Sequence, residues 1–183
     1  MSKGDQKSYE TAIKANADLI LDGWLVCVDQ ATGLGDSDPG YASFYKGELQ
    51  ESGTLQVSAK GLPEALRQIQ EQLTERGLNE CDFLVVEAHR GRLVHPHLHY
   101  SSGAILAGVE CWAWTKIPVQ HWKKTARANP DYKKGDENDA IEFGRTVVGD
   151  ARGVRDGTWP PVRRSTNRTR SRRKRSRTRR TKR

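Results

Sequence analysis

Two short apolar runs, rich in valine and each closed by an acid, constrain this chain more than any other feature. Residues 24–29 read WLVCVD and residues 81–87 read CDFLVVE. Apolar runs of this length suit strands buried on both faces, so they predict the parallel part of a sheet covered by helices. An acid at the end of such a strand is poorly placed for core packing. It is well placed for the crevice at the carboxyl edge of an open α/β sheet, where ligands bind.

The remaining pattern gives these runs their neighbours. Residues 8–21 carry Tyr9, Ala12, Ile13, Ala17, Leu19 and Ile20 in a weak helical pattern, and Asp22-Gly23 makes a turn. After the loop TGLGDSDPG, the segment YASFYKGELQESGTLQV predicts two strands, 41–45 and 48–57, joined at Lys46-Gly47. Residues 62–76 place Leu62, Ala65, Leu66, Ile69 and Leu73 at helical spacing, with Pro63 in the first turn and Gly77 as the stop. Downstream, the pattern predicts a helix over 102–109, a strand over 110–117, a short helix over 119–128 and a last helix over 137–148. The fold class expected is α/β: a mixed five-stranded sheet, an antiparallel meander extended by parallel strands, with helices on its faces. Three segments follow: an N-terminal extension over 1–22, one domain over 23–150, and a linker and tail over 151–183.

Charge is distributed unevenly. The 183 residues carry a net charge of +8, yet residues 163–183 hold 13 Lys or Arg and no acid, leaving 18 basic against 23 acidic residues in 1–162. Such a tail cannot bury a core and is expected to be disordered when alone. Its Arg excess suits bidentate contact with phosphate and a salt-steep, sequence-blind affinity for a polyanion, with Arg163, Arg164, Arg172 and Arg173 among the candidate nucleic-acid contacts. No apolar run approaches the roughly 20 residues that span a bilayer, and residues 1–10 are too polar for a signal peptide. A cytoplasmic protein without a membrane partner is expected, in the host cytoplasm if phage-encoded. Cys27, Cys81 and Cys111, odd in number and far apart in apolar stretches, are expected as reduced core thiols.

The acids at the strand ends, Asp29 and Glu87, gain two companions in KKGDENDAIEFG. Asp136 and Asp139 lie three apart at a helix start and share one face. Each acid has a plainer alternative: Asp29 a turn, Glu87 an ion pair with Arg90 or Arg92, Asp136 and Asp139 a helix cap. Taken jointly, four hard oxygen ligands suit two Mg²⁺ ions, with Mn²⁺ as a substitute, and in-line attack on a phosphodiester.

On this element order, the strand ending in Asp29, the VVE ending in Glu87 and the late Asp136-x-x-Asp139 resemble the ribonuclease-H-like superfamily, and within it the RuvC-type Holliday-junction resolvases. SSGAILAGV is similar to the family's small-residue helix, IPVQHWKK to its strand followed by a basic helix, and DENDAIEFG to its closing helix. The resemblance covers roughly residues 24–148, and the compact form is phage-like. It implies a homodimeric, Mg²⁺-dependent endonuclease that nicks paired strands of a four-way or branched DNA junction and leaves 5′-phosphate ends. By match, Asp29, Glu87, Asp136 and Asp139 are the catalytic metal carboxylates and Lys123 or Lys124 contacts phosphate, with Lys133 and Lys134 as further candidates on a shorter segment than the family's. Family members have Asp-Pro-Gly at the first acid, where this chain has Asp29-Gln30-Ala31; the Asp38-Pro39-Gly40 nearby follows no apolar strand.

Two other features invite a role. His95, His97 and His99 alternate and would share one side of an extended segment, for a metal, for phosphate or for nothing special; His89, just past Glu87, could orient water or phosphate. Trp112, Trp114 and Trp122 could stack bases, but Trp112 and Trp114 share a strand face and core or dimer packing is the expectation, as is a core place for Trp24 and Tyr100. Outside junction resolution stand a ribonuclease or less selective branch nuclease on the same fold, and a non-catalytic nucleic-acid-binding or packaging protein.

Overall fold

The computed structural model describes residues 3–31, 38–88 and 96–159. Arg163, Arg164, Arg172 and Arg173, the rest of the tail, and His89, Arg90, Arg92 and His95 lie outside the described residues. In chain order the elements are α1 (Lys3–Ala15), α2 (Ala17–Asp22), β1 (Trp24–Asp29), β2 (Gly40–Tyr45), β3 (Glu48–Thr54), α3 (Leu62–Glu75), β4 (Glu80–Ala88), α4 (Pro96–Gly108), β5 (Glu110–Pro118), α5 (Val119–Ala128) and α6 (Asp136–Arg155).

The five strands form one sheet in the order β3-β2-β1-β4-β5. β1, β2 and β3 pair antiparallel, and β4 and β5 continue the sheet parallel to β1, which is the mixed sheet expected from the sequence. Lys46 and Gly47 turn between β2 and β3 with positive φ, where a residue without Cβ is least strained.

Alternation along the central strands divides the core in two. Leu25 and Cys27 of β1, Phe83 and Val85 of β4, and Ala42 and Phe44 of β2 face α6, α5 and the N-terminal helices. Val26, Val28, Leu84 and Val86 face α3 and α4 through Ile69, Leu73 and Ile105. Residues 1–22, set apart by sequence as an extension, add Tyr9, Ile13 and Ile20 to the first of these clusters, all three with no exposed surface. Of the thiols only Cys27 is fully buried; Cys81 and Cys111 are half-buried neighbours on β4 and β5, and all three are free.

Helix α6 lies directly on β2. A Cβ at Gly144 would fall 1.9 Å from Phe44 Cε2, and Phe44 is itself 2 % exposed. Neither side can yield without opening the core. Gly144→Ala should therefore destabilise the fold by about 1–3 kcal/mol through overpacking, read as a thermal midpoint lowered by several degrees.

The aromatic side chains correct the sequence reading. Trp112, Trp114, Trp24 and Tyr100 are 84 %, 52 %, 43 % and 58 % exposed, not core residues. β5 is an edge strand, and the face bearing Trp112 and Trp114 extends past the helices that cover the sheet centre. Trp24 begins β1 and stacks on Tyr45 at 4.9 Å, and Tyr100 lies on the outer face of α4. Trp122 is the reverse case: considered for base stacking, it is fully buried, edge-on to Phe143.

Candidate active site

The parallel pairing of β1 and β4 brings their acidic ends together. Val28 is in register with Val86, so Asp29 and Glu87 follow side by side at the carboxyl edge. Asp29 also pairs across β2 with Gly40, and a Cβ at Gly40 would lie 2.0 Å from the carbonyl oxygen of Asp136. Only a glycine lets the start of α6 rest there. That contact sets Asp136, and Asp139 one turn on, against the end of β1. Four acids distant in sequence thus reach one edge of the sheet.

Three of them are buried: Asp29, Glu87 and Asp139 are 9 %, 6 % and 9 % exposed. Burial, and after it the charges of Glu87, Asp139 and Asp136, push the Asp29 carboxyl well above the usual range. Glu87 and Asp139 are pushed up for the same first reason, with Asp136 adding to both. The charge of Lys123 pulls all three back down, and its Nζ stands 5.0 Å over the Trp122 ring. Lys124 is exposed on α5, and Lys133 and Lys134 are exposed on the loop before α6.

Among the described residues, two side-chain hydrogen bonds reach these acids; Tyr132 carries no signal in the sequence, and Trp122 suggests only base stacking there. The Trp122 indole Nε1 donates to Glu87 Oε1 at 2.9 Å in a buried setting. The Tyr132 hydroxyl donates a short bond to Asp139 Oδ1, and burial together with Asp139 keeps that phenol protonated far above its ordinary range. Asn129 clamps the same loop to α6 by donating to Glu142 Oε1 at 2.9 Å, while Gln30 Nε2 donates to the Glu87 carbonyl at 2.7 Å. Among the described residues, no three His, Cys, Asp or Glu side chains stand close enough together to grip one ion.

Two alternatives are settled by position. The Asp38 carboxylate accepts from the Val57 backbone N–H at 3.0 Å, which ties it to the segment after β3. His97 and His99 sit in α4, where residues two apart point about 200° from each other. The alternation that would align imidazoles in a strand therefore separates them here.

Trp122→Phe should leave Glu87 Oε1 without its buried donor at a cost of about 1–3 kcal/mol, measured by chemical denaturation. The raised acids also give stability a pH dependence of defined sign. A carboxyl raised in the folded state binds its proton more tightly there, so its contribution is full below the ordinary carboxylate range and is lost as pH rises through the raised value. In chelator, Asp29→Asn should therefore melt above wild type at neutral pH by on the order of 1 kcal/mol, about 2–4 °C. Scanning calorimetry should show that gap closing as pH falls below 4.

No family model matches the chain, and neither does any curated protein. Solved structures do. The RuvC of Thermus thermophilus in complex with a Holliday junction substrate matches at a TM-score of 0.50 and 14 % identity, over 74 % of this chain and 96 % of that one. The chain has a RuvC-like fold. A second Thermus thermophilus RuvC structure matches at 0.47 and 16 % identity, over 74 % and 97 % of the two chains. The RuvC-like fold is the one the acid-terminated runs and the element order led us to expect. In it, β1, β4 and the start of α6 supply all four acids, and α5 supplies Lys123 and Trp122.

Proposed function

We propose that this chain is a divalent-metal-dependent endonuclease acting on branched DNA, with the four-way junction as its preferred substrate. The observation that carries the reading is the joint electrostatic environment of the buried Asp29, Glu87 and Asp139 with half-buried Asp136, countered among the described residues by Lys123. Desolvated carboxylates of like charge are costly unless a cation answers them. The donor set is all hard oxygen, which fits Mg²⁺ or Mn²⁺. Asp29, Glu87 and Asp139 would hold the metal with Asp136 at the rim, and the bound ions would supply an activated water and charge stabilisation at the departing 3′ oxygen. Two ions match the count of acids.

Within this reading the protein's own groups divide the work. Trp122 and Tyr132 orient Glu87 and Asp139, and Lys123 meets a phosphate oxygen at the same edge. Lys124, Lys133, Lys134 and the Arg of the tail add backbone contacts along the duplex arms. Paired nicks need two sites, so the active form is a homodimer that leaves 5′-phosphate ends. No helix among the described residues is long and apolar enough to cross a membrane. The test is an end-labelled four-way junction incubated with the purified protein in Mg²⁺. Symmetric nicks that stop in chelator are expected; absence of cleavage in both Mg²⁺ and Mn²⁺ would leave only nucleic-acid binding.

A further inference from the structure

At the end of the sheet away from the acids, a cavity of about 1020 Å³ opens against the face that α3 and α4 leave uncovered. Alternation puts Trp24 of β1, Glu80 and Asp82 of β4, and Glu110 and Trp112 of β5 on that one face. All five line the cavity.

Its chemistry is that of a cation receptor. Glu80 and Glu110 are exposed register partners on adjacent strands, like charges side by side that weaken a sheet unless something answers them. Neither is bonded to a cation among the described residues, whereas Asp82 is occupied by the Trp24 backbone N–H at 2.7 Å and Glu51 faces Arg76. Beside the two free acids stands Trp112, 84 % exposed, and across the cavity Trp24, 43 % exposed. A guanidinium stacks on an indole face and offers a fork of donors to a carboxylate, which an ammonium cannot do as well.

We propose that this cavity docks the Arg-rich segment 163–183 of the same chain. Charge complementarity argues for it: the segment has 13 Lys or Arg and no acid, while the rest of the chain is net acidic. Reach allows it as well. Arg155, at the end of α6, pairs with Asp18 and with Asp22 at 2.7 Å, two residues before Trp24, so α6 ends where the cavity opens, although the chain then turns back to set Trp159 edge-on to Tyr9 on the opposite face. The 24 residues after Trp159 can span about 80 Å, ample to round the rim. Docking does not depend on the nuclease reading. If that reading holds as well, a polyanion must displace the tail from the cavity before using it.

Zero-length carbodiimide coupling of the full chain tests this, because it joins a carboxylate only to an amine in contact. Peptide mapping should find Lys174 or Lys182 joined to Glu80 or Glu110, and mixed isotopic labelling should place both ends in one chain. The links should fade in 0.5 M salt, since the contacts are exposed and screened. In Trp112→Ala the same links should fall roughly fivefold, the loss of one cation–π contact, although both acids remain. Trp112 is too exposed for its truncation to unfold the protein. Links spread over all exposed acids, links to the Asp29 cluster instead, links only between chains, or a yield indifferent to Trp112→Ala would each overturn the proposal.

Discussion

Asp29→Asn should slow junction cleavage by about 10³-fold or more in saturating Mg²⁺, while junction affinity stays within a few-fold. Asp29 stands between the other acids: Glu87 lies beside it on β4, and the start of α6 rests on its β2 partner Gly40. An amide keeps the shape but loses the negative charge that a divalent cation needs. Because the native carboxylate is itself destabilised by burial and like charge, the variant should fold at least as well as wild type. Lost activity then reports on chemistry alone. Gel-based single-turnover cleavage and a binding assay on the same junction separate the two quantities, and unchanged cleavage would remove Asp29 from the site.

Deleting residues 163–183 should weaken junction binding by about 10²–10³-fold at 50 mM salt and reduce the slope of log affinity against log salt by several units. The segment carries 13 cationic side chains, and the body it leaves is net acidic. A body of that charge approaches a phosphate backbone unfavourably, so long-range attraction falls to the tail. Turnover at saturating junction should stay within a few-fold of the full chain. If truncation abolished turnover even there, the tail would belong to the reacting site and not to capture of the substrate.

Much of the fold was legible because its signals are local. Two short apolar runs announce strands buried on both faces, and the spacing Leu62, Ala65, Leu66, Ile69 announces an amphipathic helix; both follow from local sequence pattern alone. Asp29 and Glu87 were legible for a related reason, since a charge that ends a core strand has nowhere to go but the sheet edge, and Asp136 and Asp139 by their spacing of three at a helix start. Trp122 and Tyr132 were not. Their roles depend on which side of α5 and of the following loop turns inward, and that is decided by contacts with Glu87 and Asp139, distant in sequence. The core reading of Trp112 and Trp114 failed for the converse reason, since large aromatics on a strand look like core until it is known that β5 lies at the edge, and that of Trp24 because it is the first residue of β1. For His97 and His99 only the extended geometry was misread, since α4 turns the two apart. Gly40 and Gly144 carried no visible signal, because only the approach of α6 shows what a side chain there would strike.

One measurement bears most directly on whether these acids form a metal centre. Crystals of the protein soaked in Mn²⁺, with diffraction recorded at the Mn absorption edge, should show anomalous density at the carboxyl edge of β1 and β4, within about 2.0–2.6 Å of oxygens from Asp29, Glu87 and Asp139, and none in Asp29→Asn. Anomalous density confined to other surface acids, with the Asp29, Glu87 and Asp139 carboxylates unmoved in saturating Mn²⁺, would contradict it.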